Sequence, residues 1–309
     1  MKFLLFSDLH YLPGVFPSDW SHLHSLQRRA EENGCEMIIH AGDFCHGGEA
    51  SWSYADAYNS FHIPSYHCLG NHDSDNASLE ETLKRYRMPA DHYFFDRSGY
   101  RFIVLSTNYY KDGDRYVAYS RSNQYGQIHD NMDPACELDY VPPEQLAWLE
   151  KTIAESTLPC VLFSHQSFER CDGAKNRKEV RKIIDAANQR KKFSVLMCVN
   201  GHWHVDHARV WNDVLYLDVN AVAYHYIGKL HHHFPESYLK QNKGMEASIG
   251  YNDPLSAVVT LIGSTIRVEG VSSSLYMGVT KVMTGGRASD NAGREALPEI
   301  QSFTVTLGH

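Results

Sequence analysis

No apolar run in this sequence is long enough to cross a bilayer, and the opening "MKFLLF" meets Ser7 and Asp8 at once, too short for a secretory leader. A membrane span is therefore not expected. Basic blocks are scarce too. The chain carries 29 Lys and Arg against 37 Asp and Glu, a formal net charge of -8. Its most basic run, "RKEVRKIIDAANQRKK" from Arg177 to Lys192, is interleaved with acids and reads as a solvated helix face. A nucleic-acid backbone is not an expected partner. A disulfide framework is absent as well. The seven cysteines are an odd number in a long chain, and most sit in apolar runs such as "PCVLF" and "VLMCVN", where they read as small buried thiols. There is no internal repeat. On these features a cytoplasmic protein is expected, and 309 residues suit one large domain or one domain plus an extension.

Histidine is what the sequence has in excess, with 19 copies. Position decides what they mean, because a lone histidine is more often a surface or core residue than a ligand. The first half alternates short apolar runs with amphipathic ones. "KFLLF", "CEMIIHAG" and "SYHCLG" read as strands, separated by the helical patterns "SHLHSLQRRAEENG" and "ASWSYADAYNSF". "SLEETLKRY" is helical, with Ser78 as N-cap and Glu81 three residues on. "HYFFDRSGYRFIVLSTN" gives two strands, and "PPEQLAWLEKTIAES" a helix with Pro143 near its first position. "PCVLFSH" and "FSVLMCVNGH" are strands on either side of the helix "NRKEVRKIIDAANQR", and "HARVWNDVLYLDVN" is a hairpin. Such alternation predicts a layered α/β architecture. The stretch from Tyr110 to Tyr140 reads as a polar, irregular loop. After Asn220 the chain turns aromatic and His-rich, then β-like in "LSAVVTLIGSTIRVEG" and "SFTVTL", with "TGGRASDNAGREALPE" as an exposed loop.

The predicted strand ends share a composition. The first ends in "SDLH" (Asp8, His10) and the second in "HAGDFCHGG" (Asp43). The third ends in "LGNHD" (Asn71, His72, Asp73), a later one in "FSH" (His165) and the last core strand in "NGHWH" (His202, His204). Strand C-termini of an α/β sandwich converge on one edge, where ligands usually bind. Asp and Asn oxygens with imidazole nitrogens suit Mn, Fe, Zn or similar ions. Even seven of these nine side chains exceed the needs of one ion. Two ions sharing a carboxylate, about 3.5–4 Å apart, would hold a hydroxide nucleophile and clamp a phosphoryl group. Asp8/His10 and His202/His204 are each two residues apart, a spacing that in extended chain aims both side chains the same way. Gly42, Gly70 and Gly201 mark strand-to-loop turns needing positive φ or close backbone approach.

"DLH", "GD", "GNHD", "H" and "GHWH", in this order, resemble the calcineurin-like metallophosphoesterase superfamily over roughly Met1 to Asn220. The resemblance implies a four-layer α-β-β-α sandwich with a C-terminal β-rich extension. It implies a core over residues 1–220 carrying a dinuclear site, and an extension over 221–309 that completes or caps it. Carried over by position, Asp8, His10 and His204 hold one metal and Asn71, His165 and His202 the other, with Asp43 bridging. His72 faces the substrate, and Asp73 orients His72. The implied cofactors are two divalent or trivalent ions among Mn, Fe, Zn and Ni. The implied activity is hydrolysis of a small-molecule phosphoester through a bridging hydroxide, by a phosphodiesterase or phosphatase. A nucleotide-type diphosphatase is the alternative within the class. A non-catalytic scaffold on the same fold is the alternative outside it; that would predict gaps among the ligands, and no position is missing. Two departures touch the cleft wall: His46 stands where many members carry Asp or Asn, and "SHQSFER" replaces a His-small-Pro motif. His46 is even between a supporting and a plain loop role. His207 is read as structural and His231 to His233 as an exposed loop. His225 has a better prospect of reaching the site than those three.

Overall fold

The computed structural model describes residues 1–14, 20–120, 136–226, 236–241, 248–278 and 297–308. Two six-stranded sheets face each other. In the first, β1 (Lys2–Phe6) pairs parallel with β2 (Met37–His40), and β2 with β3 (Ser65–Tyr66). The other edge of β1 is taken by β15 (Ala257–Ile262), antiparallel, followed by β16 (Thr265–Glu269) and β17 (Phe303–Thr306). Half of this sheet thus comes from beyond residue 256. The second sheet has the order β11-β12-β10-β9-β5-β4. Its strands are β4 (Tyr93–Arg97), β5 (Tyr100–Val104), β9 (Cys160–Phe163), β10 (Val195–Asn200), β11 (His207–Trp211) and β12 (Val214–Asp218).

The continuous apolar reading of "KFLLF" follows from burial on both faces. Phe3 and Leu5 point between the sheets, against Phe102, Val104, Phe163 and Val199. Leu4 and Phe6 point the other way, against α1 (Trp20–Glu32) and α2 (Glu49–Asn59). The outer face of the second sheet is covered by α4 (Pro143–Ala154) and α5 (Arg177–Arg190) through Leu149, Ile153, Val180 and Ile184. The layers are those of the expected α-β-β-α sandwich. No described helix is long and apolar enough to cross a membrane.

Local signals act as read. α3 (Leu79–Tyr86) starts in a full capping box, with Ser78 accepting from the Glu81 amide and the Glu81 carboxylate accepting from the Ser78 amide. Asn212 and Asp213 both adopt positive φ in the two-residue turn between β11 and β12. One expectation is corrected. The stretch after Tyr109 is not irregular at its start: β6 (Tyr109–Asp112) and β7 (Arg115–Ala118) form a hairpin, and β8 (Cys136–Glu137) joins β6. Gly113, at φ 59°, supplies the tight turn that the polar composition concealed. The rest of that stretch, 121–135, lies outside the described residues, as do His231 to His233 and most of the loop from residue 284. β13 (Tyr224–Tyr226) and β14 (Ser248–Gly250) form a separate antiparallel pair, and α6 (Glu236–Gln241) lies between them in sequence.

Candidate metal centre

β1, β2 and β3 run parallel, as do β9 and β10, so their C-terminal loops meet at one edge spanning both sheets. The contact between loops is close. The Asp8 amide donates to Gly42 O at 3.0 Å, His10 N to Asp43 O at 2.8 Å and Gly201 N to His165 O at 3.0 Å. Two glycines permit this approach. A Cβ on Gly42, itself at φ +105°, would overlap the His165 ring, and one on Gly201 would overlap Ser7 and the Asp8 carboxylate.

The side chains reach the cleft by a route different from the one expected. Asp8, His10, Asp43, His202 and His204 have φ of 53°, 52°, 49°, 75° and 51°. They are left-handed kinks following the strands, not alternating positions of extended chain. Each such residue stores about 1–3 kcal/mol of backbone strain, which the surrounding packing must hold. Asp and His are among the non-glycine residues that enter this region most readily.

Four groups of donor atoms each lie within 4.8 Å of one another: Asp8, His10 and His204; His10, Asp43 and His72; Asp43, His165 and His202; and His46, His72 and Asp75. Asp43 belongs to two of them. Its Oδ1 accepts from the His72 amide at 2.8 Å, while its Oδ2 faces His165 Nε2 at 3.0 Å and His10 Nε2 at 3.5 Å. Asp8 Oδ1 lies 3.3 Å from His204 Nε2 and 3.8 Å from both His10 Nε2 and His165 Nε2. Both Asp8 oxygens also accept from the His202 amide. Asn71 is buried, and its Oδ1 is 3.5 Å from Gln166 Nε2. Gln166 in turn donates to Asp139 Oδ1 at 2.9 Å, tying the residues after β8 to this wall.

The second nitrogens decide what this cluster can hold. Nδ1–H of His165 donates to Ala41 O at 2.7 Å, and Nδ1–H of His204 to Tyr224 O at 3.0 Å. In the neutral rings both Nε2 atoms then carry no hydrogen and face carboxylate oxygens, and that of His204 also lies 3.2 Å from His10 Nε2. His165 Nε2 is buried and has no hydrogen-bond partner. Lone pairs converging on lone pairs repel unless a cation lies between them, so the donor set fits bound metal. The titration behaviour follows. Burial alone would favour the neutral form of His165, but Asp43 and Asp8 push it up to about 10. Burial would also raise Asp43 and Asp8, yet the surrounding imidazoles hold both below the usual carboxylate range. Burial, then His165, lowers His202 to about 3. His10 falls to about 4, chiefly through burial.

Asp73 does not orient His72, and this expectation is corrected. Its Oδ1 accepts from Phe44 N, Cys45 N and Tyr86 Oη, and its Oδ2 from Asp43 N and Gly70 N. It therefore shapes the backbone around Asp43 and Gly70. The group on His72 is Asp75, whose Oδ2 accepts from His72 Nδ1 at 2.8 Å and from His46 Nδ1 at 2.9 Å. Burial disfavours protonation of His72, but Asp43 and Asp75 raise it to about 9. His225 is fully buried and stands behind the cleft, donating from Nδ1 to His204 O at 2.7 Å. His207 pairs with Glu169 at 3.6 Å. Tyr224 was missed from sequence; its ring lies 4.7 Å from that of His204 and 5.2 Å from that of His10. A turn of three residues from His72 to Asp75 was the only signal for Asp75, and it carries no periodicity.

The sandwich and the donor set define a metal-dependent phosphoester hydrolase. The calcineurin-like phosphoesterase model matches residues 1–206, and the chain belongs to that family. None of the curated proteins compared matches it. Among solved structures, it resembles a dimetal phosphatase from Danio rerio, at 14% identity and TM-score 0.63, with 100% of this chain and 99% of that one covered. It also resembles GAP50, the anchor in the inner membrane complex of Plasmodium, at 12% identity and TM-score 0.52, with 100% and 89% covered. At these identities the likeness concerns the fold.

Proposed function

We propose that Asp8, His10 and His204 hold one cation, that Asn71, His165 and His202 hold a second, and that Asp43 is shared by both. The observation that carries this reading is the convergence of the Nε2 atoms of His165 and His204, whose Nδ1–H groups are committed to carbonyls, on the carboxylates of Asp43 and Asp8. Bound there, Mn, Fe, Zn or Ni would supply Lewis-acid activation of water and charge neutralisation at phosphorus. The substrate is a small-molecule phosphodiester or phosphomonoester. His72, 30% exposed and anchored on Asp75, faces it and donates toward the leaving oxygen. Asp73 sets the backbone that carries Asp43 and Asn71. Residues 1–220 carry the site, and 221–309 complete the first sheet and add Tyr224 to the cleft wall. The D. rerio neighbour is described as a dimetal phosphatase, in keeping with this reading.

The test is a screen of phosphomonoesters, cyclic nucleotides and nucleotide diphosphates. It uses chelator-stripped protein reconstituted with Mn, Fe, Zn or Ni. Hydrolysis of a mono- or diester that returns only with metal is the expected result. Equal turnover by the stripped protein, or turnover of diphosphates alone, contradicts it.

A further inference from the structure

We propose that His46 is a second substrate-contacting imidazole of this site, paired with His72 through the shared carboxylate of Asp75. The inference rests on the reading of the cleft as a phosphoester-hydrolysing centre and adds a residue to it. One carboxylate oxygen, Asp75 Oδ2, meets His72 Nδ1 at 2.8 Å and His46 Nδ1 at 2.9 Å. An ionised carboxylate only accepts, so each Nδ1 carries hydrogen and each ring turns its Nε2 away from Asp75. Among the described residues, the hydrogen bond of the His46 ring is the one from Nδ1 to Asp75. The two rings are 5.0 Å apart and flank His10, at 5.2 Å for His72 and 5.4 Å for His46. Their side chains are 30% and 20% exposed and stand beside His10.

His46 is also fixed by its backbone. Its amide donates to Tyr11 O at 3.3 Å, and its carbonyl accepts from Asn76 N at 3.2 Å and Asn76 Nδ2 at 2.9 Å. Gly47 and Gly48, at φ 63° and 79°, fold the chain back so closely that a Cβ on Gly47 would lie 2.8 Å from Asp73 O. A histidine held at three points, with its outward nitrogen uncommitted, is placed to contact a bound ligand. A phosphoester offers several acceptor oxygens; as imidazolium, each ring donates from both nitrogens, so two rings on one anchor can take two of them.

The competing role, in which His46 only steadies Asp75, uses the other nitrogen, and substitution separates the two. Asparagine places its amide N–H near the Nδ1 position and keeps the Asp75 bond. Glutamine reaches the Nε2 position and keeps the outward donor. The readouts on the full-length, Mn-loaded protein are KM and kcat for p-nitrophenyl phosphate, the inhibition constant of inorganic phosphate, and the melting temperature. His46→Asn is expected to raise both KM and the phosphate inhibition constant by about tenfold, the scale of one hydrogen bond to a charged group, without lowering the melting temperature. His46→Gln is expected to recover most of that loss. The proposal is overturned if His46→Asn matches the wild type, if His46→Gln is impaired as much as His46→Asn or more, or if losses only track melting. Wild-type protein that binds no phosphate and cleaves no phosphoester overturns the functional reading itself, and this proposal with it.

Discussion

His165 shows how a single residue couples protons to cations. Its Nδ1–H is committed to Ala41 O, so an added proton on Nε2 sits between Asp43 and Asp8, where a cation would lie. In cation-free protein, with the group raised to about 10, that proton is held at neutral pH. Cation entry must expel it, so binding strengthens with rising pH, by up to about tenfold per unit for each proton released, and flattens above about 10. The same shift has a consequence for cation-free folding. A value raised above the ordinary 6.5 contributes stability that is full below 6.5 and is lost as pH rises through about 10. Mn titration calorimetry at about pH 6, 7 and 8 in buffers of different ionisation enthalpy counts the protons. Release of about one or more per chain is expected; pH-independent affinity without release contradicts the assignment.

Among elements, α3 links local sequence to the centre most directly. Its last residue, Tyr86, donates to Asp73, and Asp73 receives the amides of Asp43 and Gly70. Removing the N-cap with Ser78→Ala should cost about 1 kcal/mol of unfolding free energy in urea titration, since one first-turn amide loses its acceptor. An unchanged midpoint would show that packing of Thr82 and Tyr86, not the cap, starts this helix. The capping box, the continuous apolar β1 and the hairpin after His207 were legible because each is a short-range pattern. The hairpin after Tyr109 was not, since polar residues on a small surface sheet bury little and leave no alternation. The kinks at Asp8, His10, Asp43, His202 and His204 escaped for another reason. Side-chain type shows what a residue can ligate, while φ is set by loops packing against loops far away in sequence. Asp75 and the true task of Asp73 were hidden likewise. Five donors converge on Asp73 only once residues 43–45, 70 and 86 are brought together in space.

Across the whole molecule, the centre depends on two sheets held in register. Phe3 and Leu5 from one pack on Phe102, Val104 and Phe163 from the other, and β15 closes the far edge of β1. The strand ends then leave five loops at one edge, and the five strained positions proposed as ligands persist because that packing over-determines them. Five motifs in chain order were enough to indicate the sandwich and the donor set. What they could not carry is how residues beyond 220 enter the cleft, since Tyr224 is one aromatic among many in that stretch. The central claim is that side chains from both sheets gather two cations around the one carboxylate of Asp43. Its most direct test is equilibrium titration of chelator-stripped protein with Mn, comparing wild type and Asp43→Asn. Two equivalents per chain are expected in the wild type. The variant is expected to bind both more weakly, by more than the ~10–100-fold that an outer hydrogen-bonding partner contributes. No binding by the wild type, or binding unaltered by Asp43→Asn, would contradict the claim.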